Sequence, residues 1–300
     1  MTAWQIHGDW GTTRMRLWLV EDGVVRERCE GPGIGQLTVS PAEALRHAIA
    51  PWRRETPPAR IVLCGMAGAR SGLREAPYVS CPADEAAWRR SALAADLDGI
   101  PVVIGAGLAS EDEFARPDVM RGEEAQVFGA IALNPELGTG THFMVLPGTH
   151  SKWVMVEHGR VVWFRTFLTG ELFDLLSRSS LLAAGGEPSA RDFEPGFEAG
   201  LARSSAGPAL IGQLFEARAA QLREGRSGAW ASGFLSGLLI GNEIAEMRGS
   251  APLPRKMTVV GGAGLGERYV RALARFDSHA ITMAGDACAL AGLELLDADD

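Results

Sequence analysis

The feature that most constrains this chain is a pattern that occurs twice. Residues 4–29, "WQIHGDWGTTRMRLWLVEDGVVRERC", read as strand, glycine-and-hydroxyl loop, strand, tight turn "EDG" and strand. Residues 141–167, "THFMVLPGTHSKWVMVEHGRVVWFRTF", pass through the same succession, with "PGTHS" as the loop and "EHG" as the turn. Each stretch predicts an antiparallel meander. The loop residues differ, so the match is architectural, and it predicts duplicated lobes. A chain of 300 residues is long enough for two compact domains.

Between and after the meanders, the pattern alternates helix and strand. Strands are expected at 3–8, 14–20 and 24–29. Ser40 and Pro41 then open a helix as cap and first residue, and "ARIVLCGMAG" reads as a buried strand entering a glycine-rich loop. "DEAAWRRSALAADL" is expected as a helix, "IPVVIGAG" as a strand, and "GEEAQVFGAIAL" as a helix entered through Gly122 and two acids. Helices are expected over about 170–183, 208–223 and 228–248, with 185–207 as a connecting excursion rich in Gly, Ser, Pro and Glu. "KMTVVGGAGLGERYVRALARF" reads as strand, glycine loop and helix, "GDACALAGLELL" as a further helix, and "DADD" as a fraying end.

Composition narrows the function classes. An apolar fraction of 46% and a charged fraction of 22% suit a soluble globular protein. A net charge of −8 without a basic stripe argues against nucleic acid as a partner. Residues 1–20 lack the pattern of a secretory signal, which predicts a cytoplasmic protein. The most apolar window, 228–247, meets Asn242 and Glu243 before it reaches the roughly 20 residues of a membrane span, so it reads as a buried helix and no membrane partner is expected. Cys29, Cys64, Cys81 and Cys288 lack zinc-site spacing and are expected as free thiols.

Three glycine loops stand at strand ends: "GDWGTT", "PGTHS" and "GGAGLG". Backbone amides in such turns can converge on a phosphate, and glycine lets the backbone approach closely. The last loop is not a dinucleotide fingerprint, because the final glycine position counted from Gly262 holds Glu267. In this order the loops resemble the first phosphate, second phosphate and adenosine motifs of the actin, sugar-kinase and heat-shock-chaperone ATPase superfamily. More narrowly, "GDWGTTRMRLW", "GMAGARSGLREAPYVSCPA", "PDVMRGEEAQVFGA", "LPGTHSKWV", "FLTGELFDLL" and "GFLSGLLIGNEI" are similar to the 2-dehydro-3-deoxygalactonokinase family.

That resemblance implies an α/β protein with a two-lobed ribonuclease H-like (actin-like ATPase) fold, each lobe a mixed sheet flanked by helices, with a central cleft. The lobes are expected as 1–133 plus 284–300 and 134–283. It implies ATP and Mg²⁺ as cofactors, and phosphorylation of 2-dehydro-3-deoxy-D-galactonate at the C6 hydroxyl in D-galactonate catabolism. Asp9 would face the Mg²⁺ ion, and Gly11, Thr12 and Thr13 the triphosphate. Gly148, Thr149, His150 and Ser151 would form the second phosphate loop, where Pro147 stands near the place of an aspartate common in the superfamily. Gly261, Gly262 and Gly264 would lie against adenosine.

The general base is expected at Glu123, then Glu124, where related sugar kinases usually carry aspartate. A helix N-terminus also favours acids on its own account. Lys152 reads as a solvated strand residue, phosphate contact being the alternative. For the sugar-acid carboxylate a guanidinium suits bidentate recognition. Arg70 is the first candidate and Arg121 a weaker one, and Glu171 could bind sugar hydroxyls or simply start a helix. Oligomeric state is left open, a homodimer being compatible with the sequence. Two other readings stand: a kinase of another sugar or sugar acid on the same fold, and a nucleotide-gated binding module that closes on ATP without phosphorylating a metabolite.

Overall fold

The computed structural model describes residues 4–52, 56–111, 116–182, 190–205, 210–250 and 252–298. The first meander forms as β1 (Trp4–Trp10), β2 (Arg14–Glu21) and β3 (Val24–Pro32), with β1 antiparallel to β2 and β2 antiparallel to β3. Asp22 and Gly23 both have positive φ (50° and 71°), as do His158 and Gly159 in the second meander (49° and 76°). Two consecutive residues in that region give the turn whose twist matches paired strands, which is why both turns end in glycine.

Ser40 caps α1 (Pro41–Ile49), its hydroxyl accepting from Glu43 N–H at 3.3 Å. The fully buried β4 (Ile61–Gly65) then pairs parallel to β1. Beyond it lie β5 (Tyr78–Ser80), α2 (Glu85–Arg90), β6 (Leu93–Leu97), β7 (Ile100–Ile104), β8 (Gly107–Glu111) and β9 (Pro117–Met120). The helix expected over "DEAAWRRSALAADL" therefore stops at Arg90, and its second half is a strand. Leu93–Leu97 pairs antiparallel with β7, so sheet pairing overrides the helix propensity of its alanines. The first sheet runs β3-β2-β1-β4-β7-β6, and β5-β8-β9 form a small sheet that the sequence reading missed.

The helix α3 (Glu123–Leu133) follows β9, and the second meander supplies β10 (Thr141–Leu146), β11 (Ser151–Glu157) and β12 (Arg160–Phe167). Next come α4 (Thr169–Ser179), α5 (Ala190–Ser204), α6 (Leu210–Glu224), α7 (Gly228–Ser250), β13 (Lys256–Gly261), α8 (Ala263–Ala274), β14 (His279–Ala284) and α9 (Gly285–Asp297). The second sheet runs β12-β11-β10-β13-β14, the order of the first sheet's opening strands repeated. The excursion expected over 185–207 contains α5, and 183–189 and 206–209 lie outside the described residues, as do Asp299 and Asp300 of "DADD".

Glycine explains α5. Added Cβ atoms at Gly196 and Gly200 would overlap the backbone of Trp230 and Phe234, and those at Gly233 and Gly237 the backbone of Phe193 and Phe197. The two helices touch backbone to backbone, and these glycines are packing residues rather than loop residues. The same device joins α3 to α9, where Gly129 and Gly292 abut the backbone of Cys288 and Ala125.

The chain packs as two compact units. One comprises Met1–Met144, Val154–Arg165 and Met283–Asp300, and the other Val145–Trp153 and Thr166–Thr282. The first has a core that includes Trp4, Ile6, Trp10, Leu17, Leu45 and Leu63, with α9 packed on α3, β1 and β4. The second is organised around α7, buried along most of its length as expected, against α4, α5, α6 and α8. All four cysteines are free, and no helix among the described residues is long and apolar enough to cross a membrane.

Candidate active site

In the first unit, β1 carries Asp9 to the end of the sheet, opposite Arg16 across the β1–β2 pair. Asp9 is buried, and Arg16 clamps it: one guanidinium nitrogen bonds Asp9 Oδ2 and the other Asp286 Oδ1 at the start of α9. Burial raises the Asp9 carboxyl above the usual range, Arg16 opposes that, and the charge of Glu123 adds to it. The loop after Asp9 is braced rather than free. Gly11 N–H donates to the Arg14 carbonyl at 2.8 Å, and Gly35 N–H to the Thr12 carbonyl at 2.9 Å, while the Thr12 and Thr13 side chains are exposed.

The acids of α3 arrive at the same place through two glycines. Gly122 has φ 112° and Gly65 φ 77°, and a Cβ on Gly122 would lie 3.1 Å from Gly65 Cα and 3.9 Å from Asp9 Oδ1. Only a backbone without a side chain fits there. The two glutamates part company at this turn. Glu124 is fully buried (0% exposed), and both its oxygens accept from Gly122 N–H, at 2.8 and 2.7 Å. Burial, with the neighbouring Glu123 charge, pushes its carboxyl up to about 8. Glu123 is half-buried, with Oε2 accepting from Arg121 N–H at 3.2 Å.

Arg121 lies against the Tyr78 ring at 4.2 Å and donates from Nη2 to the Ala76 carbonyl at 2.8 Å, while its buried Nη1 has no hydrogen-bond partner. Arg70, in contrast, has a side chain 91% exposed beside Glu75, with nitrogen and oxygen 3.7 Å apart. Its position is that of a surface residue.

The second unit holds the other two loops. A Cβ on Gly261 would be 3.5 Å from Pro147 Cδ, so the turn at 147–150 and the end of β13 are neighbours. Gly262 and Gly264 are exposed, Gly262 as the cap residue before α8 and Gly264 in that helix's first turn. Thr149 is exposed, and its carbonyl accepts from Glu171 N–H at 2.8 Å, while His150 Nε2 and Glu171 Oε2 are 2.6 Å apart. Glu171 thus belongs to the first turn of α4 and braces the turn at 147–150.

Ser151 points inward, donating to Glu243 Oε1 at 2.8 Å. Lys152 is not solvated but 3% exposed, because β11 lies between β12 and β10 and its residues from 151 to 154 are buried on both faces. A cavity of about 230 Å³ in this unit is lined by Gly148, Gly170, Phe173, Leu239, Leu265 and Tyr269, among others. Sequence reasoning missed Arg16, Asp286 and Glu243. The signal for Glu243 was available: it is the first acid of a long helix whose preceding turns are apolar and small.

The fold and the two loop clusters define a class. The structure of the activator of the 2-hydroxyisocaproyl-CoA dehydratase from Clostridium difficile, with bound ADPNP, superposes with a TM-score of 0.54 at 14% identity, covering 99% of this chain and 95% of that one. This places the chain in the actin-like ATPase fold class. A 2-keto-3-deoxy-galactonokinase family model matches residues 9–296. The 2-dehydro-3-deoxygalactonokinase of Escherichia coli K12 is 38% identical over 295 residues, 98% of this chain and 97% of that protein. The crystal structure of a protein from Sinorhizobium meliloti assigned as a 2-dehydro-3-deoxygalactonokinase gives a TM-score of 0.86 at 37% identity, over 98% of this chain and 95% of that one. The chain belongs to the 2-keto-3-deoxy-galactonokinase family.

Proposed function

We propose that the chain transfers the γ-phosphoryl group of ATP to the C6 hydroxyl of 2-dehydro-3-deoxy-D-galactonate, giving the 6-phosphate and ADP, in cytoplasmic D-galactonate catabolism. Family membership supports the reaction. The observation that carries the chemistry is the meeting of Asp9 with the start of α3, where Glu123 is near enough for its charge to act on the Asp9 carboxyl.

Phosphoryl transfer asks the protein mainly to position reactants and offset charge. Glu123 is the half-exposed acid of the pair and takes the C6 hydroxyl proton as that oxygen bonds to phosphorus and the bond to the ADP oxygen breaks. Glu124, whose oxygens are both engaged by Gly122 N–H, anchors the turn that presents it. Arg121, with a buried nitrogen lacking a hydrogen-bond partner, suits the sugar-acid carboxylate better than exposed Arg70.

Thr12 and Thr13 of the first loop serve as phosphate ligands, as do Gly148, Thr149 and His150 of the second loop. Gly261, Gly262 and Gly264 and the cavity beside Leu265 serve the adenosine. Mg²⁺ is bound in phosphotransferases by one or two carboxylates plus phosphate oxygens and water. Asp9 and Asp286, two carboxylates gathered on one guanidinium, fit that requirement. When bound, the ion would neutralise phosphate charge.

The test is a panel of sugar acids and sugars assayed by coupled ADP detection. Rapid ADP release only with 2-dehydro-3-deoxy-D-galactonate is the expected result. Faster turnover of another acceptor would move the chain to a sister activity, and ADP release independent of any acceptor would end the kinase reading.

A further inference from the structure

Glu243 is 3% exposed, following an uncharged run of small and apolar residues on α7, and its carboxylate is met by four donors from three other elements. Ser151 Oγ at 2.8 Å and Trp153 Nε1 at 2.6 Å donate to Oε1. Tyr269 Oη at 2.8 Å and Thr169 Oγ1 donate to Oε2. A carboxylate offers about four lone-pair sites, so this set saturates it. Burial raises its pKa, and the four donors oppose that.

Each donor belongs to a segment of the candidate nucleotide site. Ser151 is the first residue after the turn at 147–150. Thr169 opens α4, where Gly170 packs so closely on the Gly148 backbone that a Cβ would overlap it, and where Glu171 N–H holds the Thr149 carbonyl. Tyr269 lies on α8, the helix behind Gly261 and Gly262. Thr169 and Tyr269 also line the 230 Å³ cavity. Displacing any of the three segments would leave part of a buried carboxylate without a partner, which is costly.

We infer that Glu243 is the positioning residue of the nucleotide site. It fixes the 148–151 turn, the start of α4 and the α8 helix around the cavity, and so sets affinity for ADP and ATP without touching them. This rests on the kinase reading above. Its two oxygens have different duties. Trp153 can only donate, so in Glu243→Gln the amide oxygen must stay on the Ser151 and Trp153 side, and the amide NH₂ must face Thr169 and Tyr269. The substitution therefore disturbs only the half that faces the cavity.

The experiment is isothermal titration of the full chain with Mg·ADP, alongside KM for the sugar acid, for the wild type, Glu243→Gln, Tyr269→Phe and Glu243→Ala. Losing one or two such hydrogen bonds should raise Kd for ADP about three- to tenfold in Glu243→Gln and Tyr269→Phe, with KM for the sugar acid within about twofold of wild type. Glu243→Ala should raise Kd further. Should it fail to fold, the two milder variants still decide the matter. Unchanged ADP affinity in both, or equal weakening toward both substrates, would reduce Glu243 to scaffold and overturn the inference. A wild-type chain that binds no Mg·ADP would instead bring down the kinase reading itself.

Discussion

Each unit buries a glutamate, and the two sites treat it differently. Glu124 on α3 meets only backbone amides of its own turn, those of Gly122 and Glu124 itself, and an acidic neighbour, Glu123; its carboxyl is raised to about 8. Glu243 on α7 has four donors and, among the described residues, no acid bonded beside it. Burial raises both carboxyls, so depth alone does not distinguish them. The donors do. A carboxylate held only by amides of its own turn can exchange its proton in the neutral range, and one met by four side-chain donors is an acceptor around which backbone can be organised.

The largest expected effect separates Glu124 from its neighbour. Glu123→Gln removes the proposed base and should lower kcat by about 10²- to 10⁴-fold. Glu124→Gln should leave kcat within about tenfold, since an amide can keep the bond from Gly122 N–H. Equal losses in coupled ADP assays would mean that the two acids act as one group.

Next in size is a pH effect peculiar to Glu124. Its folded-state value is above the ordinary one, so between about 4.5 and 8 the folded chain holds a proton that the unfolded chain has released. Stability from this group is full below that window, falls as pH rises through it, and is flat above. At 1.36 kcal/mol per unit the loss reaches several kcal/mol at most. Urea unfolding at pH 5, 6.5 and 8 should show the wild type losing more stability than Glu124→Gln across that range, and parallel curves would contradict the assigned environment.

A smaller effect tests the glycine crossings that accompany both glutamates. Gly237→Val, on the helix of Glu243, would press against the Phe197 backbone and should cost about 1–3 kcal/mol or more, with Gly129→Val on the helix of Glu124 similar. Gly212→Ala, with no atom within 4 Å of the added Cβ, should instead stabilise by about 0.5–1 kcal/mol. Melting temperatures rank all three.

Much of this was legible because it is local. The meanders announce themselves by alternation and by turns ending in glycine, and α1 by its cap. The acids at the start of α3 and the glycine loops were visible as composition. What escaped depends on partners distant in sequence. Leu93–Leu97 is a strand only because Ile100–Ile104 lies beside it. The glycines of α5 resemble loop residues until α7 is set against them. Arg16, Asp286 and Glu243 gain their roles from residues up to hundreds of positions away, and Arg70, attractive as a loop arginine, points to solvent.

The strand bearing Asp9 and the helix bearing Asp286 stand at opposite ends of the sequence, with the whole second unit between them, yet α9 covers β1, β4 and α3. On the ribosome, the α9-facing surface of the earliest sheet therefore stays bare until residues 285–297 have emerged. A chain cut before residue 285 would leave that surface uncovered, and the intact chain has reason to need chaperone shelter during the interval.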